Sequence, residues 1–337
     1  SNIMKLSIVL ATLLISNAAS AQHKVRGGRS HTPVQRVLKK SGKKESGGKK
    51  DSSDDKKERE YFLTAEMEPY PESGEAGADV SGSVNLRFNA DGTFLTKLNV
   101  EGLLPGCLNC GIHVHEGTSC ADATSPGGHF WNQERFGPTP DDDPWNADSV
   151  HYNATDDGTT TSGFYIDTGF DLSMNAGHAV VIHTAGGARI GCGVLQTKKV
   201  KSKSFDSLEA KDVEAYPGYA GDLEPEGDVT VDVFSDSSLK FSYDMKGLAP
   251  DCEKCGVHIH TGVTCDDATL VLGHYWDTTE QYADPWVSSF GSVYSTDSYG
   301  EAEGFFYLFS GFDFYENEGH ALVFHDQDGT RVACGVL

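Results

Sequence analysis

Short segments in which apolar and polar residues alternate recur along most of the chain. Three come early, over residues 61–67, 79–88 and 93–100, and the turn sequence Asn-Ala-Asp-Gly separates the last two. A period of two is typical of half-buried β-strands, because successive side chains point to opposite faces of a sheet. No helical period is sustained. The pattern therefore predicts an all-β protein built from antiparallel hairpins.

The same order of strands and side chains occurs twice. Further strands are predicted over 111–115, 149–154, 161–167 and 177–183, and after the lysine-rich stretch 198–203 the pattern begins again. Six residues recur 145 positions later: Cys107, Cys110, His113, His115, Cys120 and His129, as Cys252, Cys255, His258, His260, Cys265 and His274. Three more recur 142 positions later: His183, Arg189 and Cys192, as His325, Arg331 and Cys334. The chain is a tandem domain duplication.

Two segments precede the duplicated part. Residues 1–21 carry an apolar run followed by Ala-Ser-Ala, which is typical of a secretory signal and too short to span a bilayer. Residues 22–59 are rich in Lys, Ser and Gly without apolar periodicity and are predicted to be disordered. We assign domain 1 to 60–196, a linker to 197–207 and domain 2 to 208–337. No other apolar stretch in the sequence is long enough to span a membrane, so a secreted, extracellular protein is expected.

Basic and acidic residues are unevenly distributed between the segment 22–59 and the duplicated part that follows it. Residues 22–59 hold 13 basic against 5 acidic residues, whereas the part from residue 60 onward holds 13 against 45 and a net charge of about −32. So acidic a globular part excludes nucleic acid as its partner. The basic segment is open to two interpretations: a solvated linker or propeptide, or a polycation that contacts an acidic matrix or cell wall.

Histidines provide the candidate chemistry. His113 and His115 lie two apart on a predicted strand and present two imidazoles on one face. Each domain offers two more matched histidines, and four neutral imidazoles suit copper or zinc, whereas the lack of matched carboxylate or thiolate ligands disfavours calcium and iron–sulfur clusters. His178 and His320 also match, but an odd offset from the ligand His places them on the opposite face, so we interpret them as structural.

Eight cysteines in a secreted chain are expected to form disulfides. Four per domain allow three pairings, and a Cys-x-x-Cys could instead be redox-active or half of a zinc site. We favour Cys120 with Cys192 and a local Cys107–Cys110 bridge, and in domain 2 Cys265 with Cys334 and Cys252 with Cys255.

Five motifs of domain 1 together resemble the Cu/Zn superoxide dismutases, in order: His-Val-His-Glu at 113–116, Cys120, Gly-His-Phe at 128–130, Val-Val-Ile-His at 180–183 and Arg-Ile-Gly-Cys-Gly-Val at 189–194. The resemblance spans about residues 61–195 and again 208–337. It implies two Greek-key β-sandwich barrels. It also implies one copper per domain, on His113, His115, His129 and His183 and on their four counterparts, with Arg189 and Arg331 holding superoxide and His129 and His274 as proton donors.

Two departures from the family bear on zinc. The family's further zinc ligands fall in a stretch that here, over 130–148 and 275–291, contains no histidine, and His151 has no counterpart in domain 2. Only five residues separate His183 from Arg189, where the family carries a charged loop. The chain is therefore similar to copper-only, loop-truncated members, and zinc is not expected.

The expected function is that of a secreted copper-dependent superoxide dismutase. The alternative is a copper-binding extracellular or cell-wall matrix protein without turnover. We expect Trp131, Trp145, Trp276 and Trp286 to pack the loop that zinc would otherwise order, and the run Asp141-Asp142-Asp143 to be solvated or, as an alternative, to bind calcium.

Overall fold

The computed structural model of the chain describes residues 61–147, 150–200, 205–281, 283–287 and 291–337. The predicted signal at 1–21, the whole basic segment at 22–59 and residue 60 lie outside the described residues. Within the described ranges no helix has the length and apolar character needed to cross a membrane. The two halves form two nearly closed antiparallel barrels. The antiparallel strands confirm the prediction from the alternating pattern, and the barrels confirm what the family resemblance implies.

The first barrel contains nine strands: β1 (Tyr61–Pro69), β2 (Ser81–Phe88), β3 (Phe94–Glu101), β4 (Cys110–His115), β5 (His151–Tyr152), β6 (Gly163–Ile166), β7 (Ala179–His183), β8 (Arg189–Val194) and β9 (Gln196–Lys199). The order across its sheet is β5-β4-β7-β8-β1-β2-β3-β6, and β9 pairs with the beginning of β1. Its helices are single turns, α1 (Gln133–Phe136) and α2 (Leu172–Asn175), with 3-10 turns at Gly74–Gly77, Pro140–Asp142 and Pro144–Asn146.

The second barrel repeats this order with eight strands: β10 (Phe205–Ala215), β11 (Glu226–Phe234), β12 (Leu239–Lys246), β13 (Cys255–His260), β14 (Val293–Tyr294), β15 (Ala302–Leu308), β16 (Ala321–His325) and β17 (Arg331–Val336). The sheet order is β14-β13-β16-β17-β10-β11-β12-β15. Two helical turns, α3 (Ala268–Val271) and α4 (Phe314–Asn317), lie in its connections. β9 and the start of β10 lie within 197–207, the stretch assigned to a linker from the sequence.

Greek-key connections place the functional strands side by side. In each barrel the chain leaves the third strand and crosses to the fourth on the far side of the sheet, so β4 pairs with β7 and β13 with β16. His113 lies opposite Val181 and His258 opposite Val323 in these pairs. Each barrel is filled by one apolar cluster in which the largest fully buried side chains are Trp145 and Trp286.

The barrels contact each other through β2, β3 and β6 of the first and through β11, β15 and the turn after β11 of the second. The Arg87 side chain, 5% exposed, lies 3.1 Å from an Asp236 carboxylate oxygen and stacks 4.0 Å from the centre of the Phe234 ring. A small apolar cluster is buried beside this pair: Leu95, Tyr165, Phe234, Tyr307 and Phe309. Because Arg87 is taken from water, the opposite charge of Asp236 is required at this contact.

Candidate metal centre

Four histidines of the first barrel converge at one end of the sheet. His113 and His115 project from β4, His183 ends the neighbouring strand β7, and an isolated bridge between His115 and His129 brings the following loop to the same place. One ring nitrogen from each of the four lies within 4.8 Å of the others. The structure thus brings together the whole ligand set that the sequence predicts for this domain.

The second barrel repeats the cluster with a wider fourth position. Ring nitrogens of His258, His260 and His274 lie within 4.8 Å of one another. His325 is adjacent, since its Nε2 is 3.3 Å from Nε2 of His260. All eight predicted ligands therefore lie in two matching sites.

Backbone carbonyls determine which ring nitrogen His115 and His183 direct into the site. His115 Nδ1 is 3.1 Å from the Gly127 carbonyl, and His183 Nδ1 is 3.1 Å from the Gly187 carbonyl. A carbonyl only accepts, so both Nδ1 atoms carry hydrogen, and the two Nε2 atoms face each other at 3.4 Å with lone pairs. Two facing lone pairs favour a cation between them.

The donor set fits a metal that prefers imidazole. Burial is the main cause that lowers the pKa of His115 to about 3, of His183 to about 4 and of His260 to about 3, and it lowers the pKa of His113 further. Smaller contributions come from the neighbouring imidazoles and, at His260, from Arg331. The rings are neutral at physiological pH, which is the form that binds metal. His113 Nδ1 and both ring nitrogens of His258 are buried without a protein partner. Orphaned buried nitrogens of this kind fit copper or zinc coordination.

An aspartate orients the third histidine of each site. Asp143 Oδ2 is 2.7 Å from His129 Nδ1, and its Oδ1 accepts a hydrogen bond from the Trp145 backbone N–H at 2.9 Å. In the second barrel Asp284 contacts His274 Nδ1 at 2.7 Å in the same way. The expectation that the Asp141–Asp143 run is solvated is therefore wrong for Asp143, which is 8% exposed. Although burial alone would raise it, the pKa of Asp284 is lowered overall by the hydrogen bonds it accepts.

A sequence signal for these aspartates exists. Asp-Pro-Trp occurs at 143–145 and again at 284–286, after the third histidine of each domain. The proline begins a helical turn in the first copy, and the tryptophan enters the core, so the aspartate is held at the edge of the site. Trp145 and Trp286 also donate their ring N–H to the carbonyls of Phe130 and Tyr275. Trp131 and Trp276 pack, partly buried, against the two cores.

The predicted anion-binding arginines lie beside the ligands. Arg189 begins β8 and donates from Nη2 to the Gly127 carbonyl at 2.6 Å, the same oxygen that accepts from His115. Arg331 makes the equivalent bond to the Leu272 carbonyl at 2.5 Å. Both side chains are partly exposed, so their remaining N–H groups are accessible to a small anion.

The other histidines lie outside the ligand clusters. His178 Nδ1 contacts the His115 carbonyl at 3.0 Å and its ring stacks 3.8 Å from Phe130, while His320 stacks on Tyr275 in the second barrel. The side-chain positions agree with the structural role inferred from the odd offset. His151 is half-buried on β5, opposite Gly111.

The eight cysteines pair as favoured from the sequence: Cys120–Cys192, Cys107–Cys110, Cys265–Cys334 and Cys252–Cys255. The long-range bridges join the loop between the second and third ligands to the strand that begins with the arginine. They restrain the loop that supplies the Gly127 and Leu272 carbonyls.

Comparison with known proteins places these features in a family. Residues 80–195 match the family model described as copper/zinc superoxide dismutase. The match covers most of the first barrel, about a third of the chain, and shows a copper/zinc superoxide dismutase-like domain there. Beyond residue 195, the second barrel repeats the strand order, ligand positions and disulfides of the first, so this is a tandem superoxide dismutase-like chain.

Solved structures of one fungal superoxide dismutase are similar to this superoxide dismutase-like chain. The Cu(II) form of Candida albicans superoxide dismutase 5 is 19% identical, with 42% of this chain and 93% of that chain covered and a TM-score of 0.31. A mutant of the same protein is 20% identical over 40% of this chain and 88% of that chain, also with a TM-score of 0.31. No curated protein matches the chain.

Proposed function

We propose that the protein is a secreted, copper-dependent superoxide dismutase with one copper site in each barrel. The observation that carries the proposal is the shared carbonyl of Gly127, which positions both a metal-ligating histidine and a cation for the anionic substrate. A site that only stored copper would not need the arginine.

The ligands of the first site would be His113, His115, His129 and His183, and those of the second His258, His260, His274 and His325. Copper, when bound, supplies one-electron oxidation and reduction between two oxidation states. Arg189 and Arg331 then bind superoxide through N–H groups that are not used by the carbonyls. Their positive charge acts locally against the acidic surface of the barrels, whose field is screened over about 8 Å at physiological salt.

Proton delivery is assigned to His129 and His274. The Nδ1–H of each donates to an aspartate, so Nε2 is the atom that would face the metal and that would carry the delivered proton whenever it is not bound to the metal. The carboxylate holds the ring in one orientation, as in other aspartate–histidine pairs. Oxidation of one superoxide yields oxygen, and reduction of a second with two protons yields hydrogen peroxide.

We propose that the sites work without zinc. In the family the third histidine bridges copper to zinc, but here Asp143 occupies Nδ1 of that histidine. The carboxylate supplies the negative partner that fixes the ring, and no further histidines accompany it in the zinc-loop stretch.

Metal analysis and activity of the purified secreted chain test the proposal together. We expect two copper ions per chain, no stoichiometric zinc, and dismutation of superoxide. Replacing Arg189 and Arg331 by Ala should lower activity without loss of copper, whereas Arg135→Ala, at an exposed ion pair with Asp167, should not. Two bound copper ions with no dismutation would instead support the non-catalytic matrix protein, and absence of copper would refute both.

Extracellular location is a separate proposal. Four disulfides and the predicted signal at 1–21 support it, and the basic segment 22–59 is proposed to contact an acidic matrix or cell wall. Deletion of 22–59 should release the protein into the medium; unchanged retention would show that the segment is only a linker or propeptide.

A further inference from the structure

A tyrosine holds the second arm of each active-site arginine. Arg189 Nη1 donates to the Tyr70 hydroxyl at 2.9 Å, and Arg331 Nη1 donates to the Tyr216 hydroxyl at 2.9 Å. Each guanidinium carbon also lies over the tyrosine ring, at 5.7 Å and 5.6 Å from the ring centres. With the bond to the loop carbonyl, both terminal nitrogens of each arginine are tied to the protein.

The tyrosines themselves are anchored on two sides. Tyr70 follows the last residue of β1, is 4% exposed, and donates its backbone N–H to the Ile190 carbonyl on β8 at 2.9 Å. Its hydroxyl donates to the Ala123 carbonyl at 2.6 Å, in the loop that the Cys120–Cys192 bridge restrains. The single hydroxyl proton is thereby used, and only the oxygen lone pairs remain for the arginine.

The second barrel contains the same arrangement. Tyr216 follows β10, is 8% exposed, and donates to the Ala268 carbonyl at 3.1 Å and, from its backbone N–H, to the Val332 carbonyl at 2.9 Å. Both halves of the duplication contain this network although their loops differ in sequence, which indicates that its geometry serves the site.

The chemistry of the acceptors matters for an anion-binding arginine. The Tyr70 hydroxyl and the Gly127 carbonyl are neutral oxygens, so they orient Arg189 without neutralising its charge. A carboxylate in either place would orient the side chain equally well but would compete with an anionic substrate for the positive charge.

We propose that Tyr70 and Tyr216 are positioning residues that hold Arg189 and Arg331 in the orientation that binds superoxide. The inference rests on the proposed dismutase function. Tyr→Phe keeps the ring stacked on the arginine and removes the hydroxyl, and with it the bond from the arginine and the bond to the loop carbonyl. One of two bonds that fix each arginine is then lost, and the arginine samples orientations that do not face the copper site.

The test uses the full secreted chain loaded with copper and the anion azide as a probe of the Cu(II) sites. Tyr70→Phe combined with Tyr216→Phe should weaken azide binding by about three- to tenfold in a titration of the copper absorption band, with two copper ions per chain retained. The KM for superoxide should rise more than kcat falls. Tyr299→Phe, at a side chain 82% exposed, is the matched control and should change neither.

Arginine variants distinguish the positioning role of the tyrosines from the proposed anion-binding role of the arginines. If Arg189→Ala with Arg331→Ala weakens azide binding and the tyrosine variants do not, the positioning role is overturned while the proposed function stands. If neither pair of variants affects azide, the arginines do not hold an anion, and the proposed mechanism fails as well. Should the double tyrosine variant not fold, Tyr70→Phe and Tyr216→Phe are made separately, and each is expected to weaken azide at one of the two sites only.

Discussion

Replacement of Asp143 by Asn, together with Asp284 by Asn, tests whether these two aspartates hold the third histidine of each site in place. Asp143 accepts two hydrogen bonds, one at each carboxylate oxygen: His129 Nδ1–H at 2.7 Å and the Trp145 N–H at 2.9 Å. An asparagine has one oxygen and one NH2 group. Whichever way it turns, it presents a donor to a donor, and one of the two bonds is lost.

The size of the effect follows from that lost bond. A hydrogen bond to a charged group contributes about 1.5–3 kcal/mol, and each 1.4 kcal/mol corresponds to about tenfold in an equilibrium constant. If the bond to His129 is the one lost, the ring is free to rotate, and copper affinity should fall by about 10- to 100-fold, the range typical of partners that orient metal ligands. The isosteric change leaves the core contacts of Trp145 in place.

Competition for copper against a coloured chelator measures this directly, and Asp141→Asn is the matched control because the same chemical change falls on an exposed neighbour. The double variant should give up both copper ions at lower chelator concentration, whereas the control should match the parent. Unchanged copper affinity and unchanged dismutation in the double variant would refute the role assigned to the aspartates.

Three further predictions concern stability. Asp236→Asn should lower the free energy of unfolding by about 3–5 kcal/mol, measured in urea, because it leaves the buried Arg87 guanidinium without a counter-charge. Lys97→Met should stabilise the protein at pH 7 by on the order of 3 kcal/mol, because burial lowers the pKa of Lys97 to about 8. Leu272→Gly should raise the free energy of unfolding by about 1 kcal/mol, because Leu272 adopts a left-handed conformation (φ 63°).

Each of these has its own check. The unfolded chain holds the Lys97 proton more tightly than the folded protein, so parental stability should rise between about pH 8 and 10.5 and the advantage of Lys97→Met should disappear there. A pH-independent advantage would contradict the cause. For the interface, Glu209→Gln at an exposed ion pair should leave stability unchanged. For Leu272, the reverse change Gly127→Leu at φ 69° in the first barrel should destabilise.

The strands and the candidate ligands could be predicted from the sequence because both leave regular patterns in it, the strands by alternation and the ligands by the repeat. Alternation fixes the strands, and the offset of 145 identifies the first three ligands of each copy without knowledge of any contact. The roles of Asp143 and Tyr70 were not predicted. Their partners, His129 and Arg189, are 14 and 119 residues away, and only the closed barrel shows which acidic or phenolic side chain reaches them.

The contact between the barrels could not be predicted from the sequence either. Arg87 and Asp236 are 149 residues apart, and neither belongs to a matched motif of the two copies. A charged residue at an alternating position is expected to face solvent, and Arg87 does face outward from its own barrel. It is buried only because a second barrel covers it, which no pattern within one domain can indicate.

Leu272 provides the argument that the second site is functional rather than a remnant. In the first barrel the shared carbonyl that orients a ligand and the arginine belongs to Gly127, for which a left-handed conformation carries little cost. In the second barrel a leucine also has a positive φ, 63° against 69° for Gly127, and its carbonyl accepts the same two hydrogen bonds, from His260 and Arg331. A barrel kept only as a packing partner for the first could relax this loop, since strained backbone persists where the surroundings hold it in place for a purpose. The retained strain therefore favours two working sites in one chain.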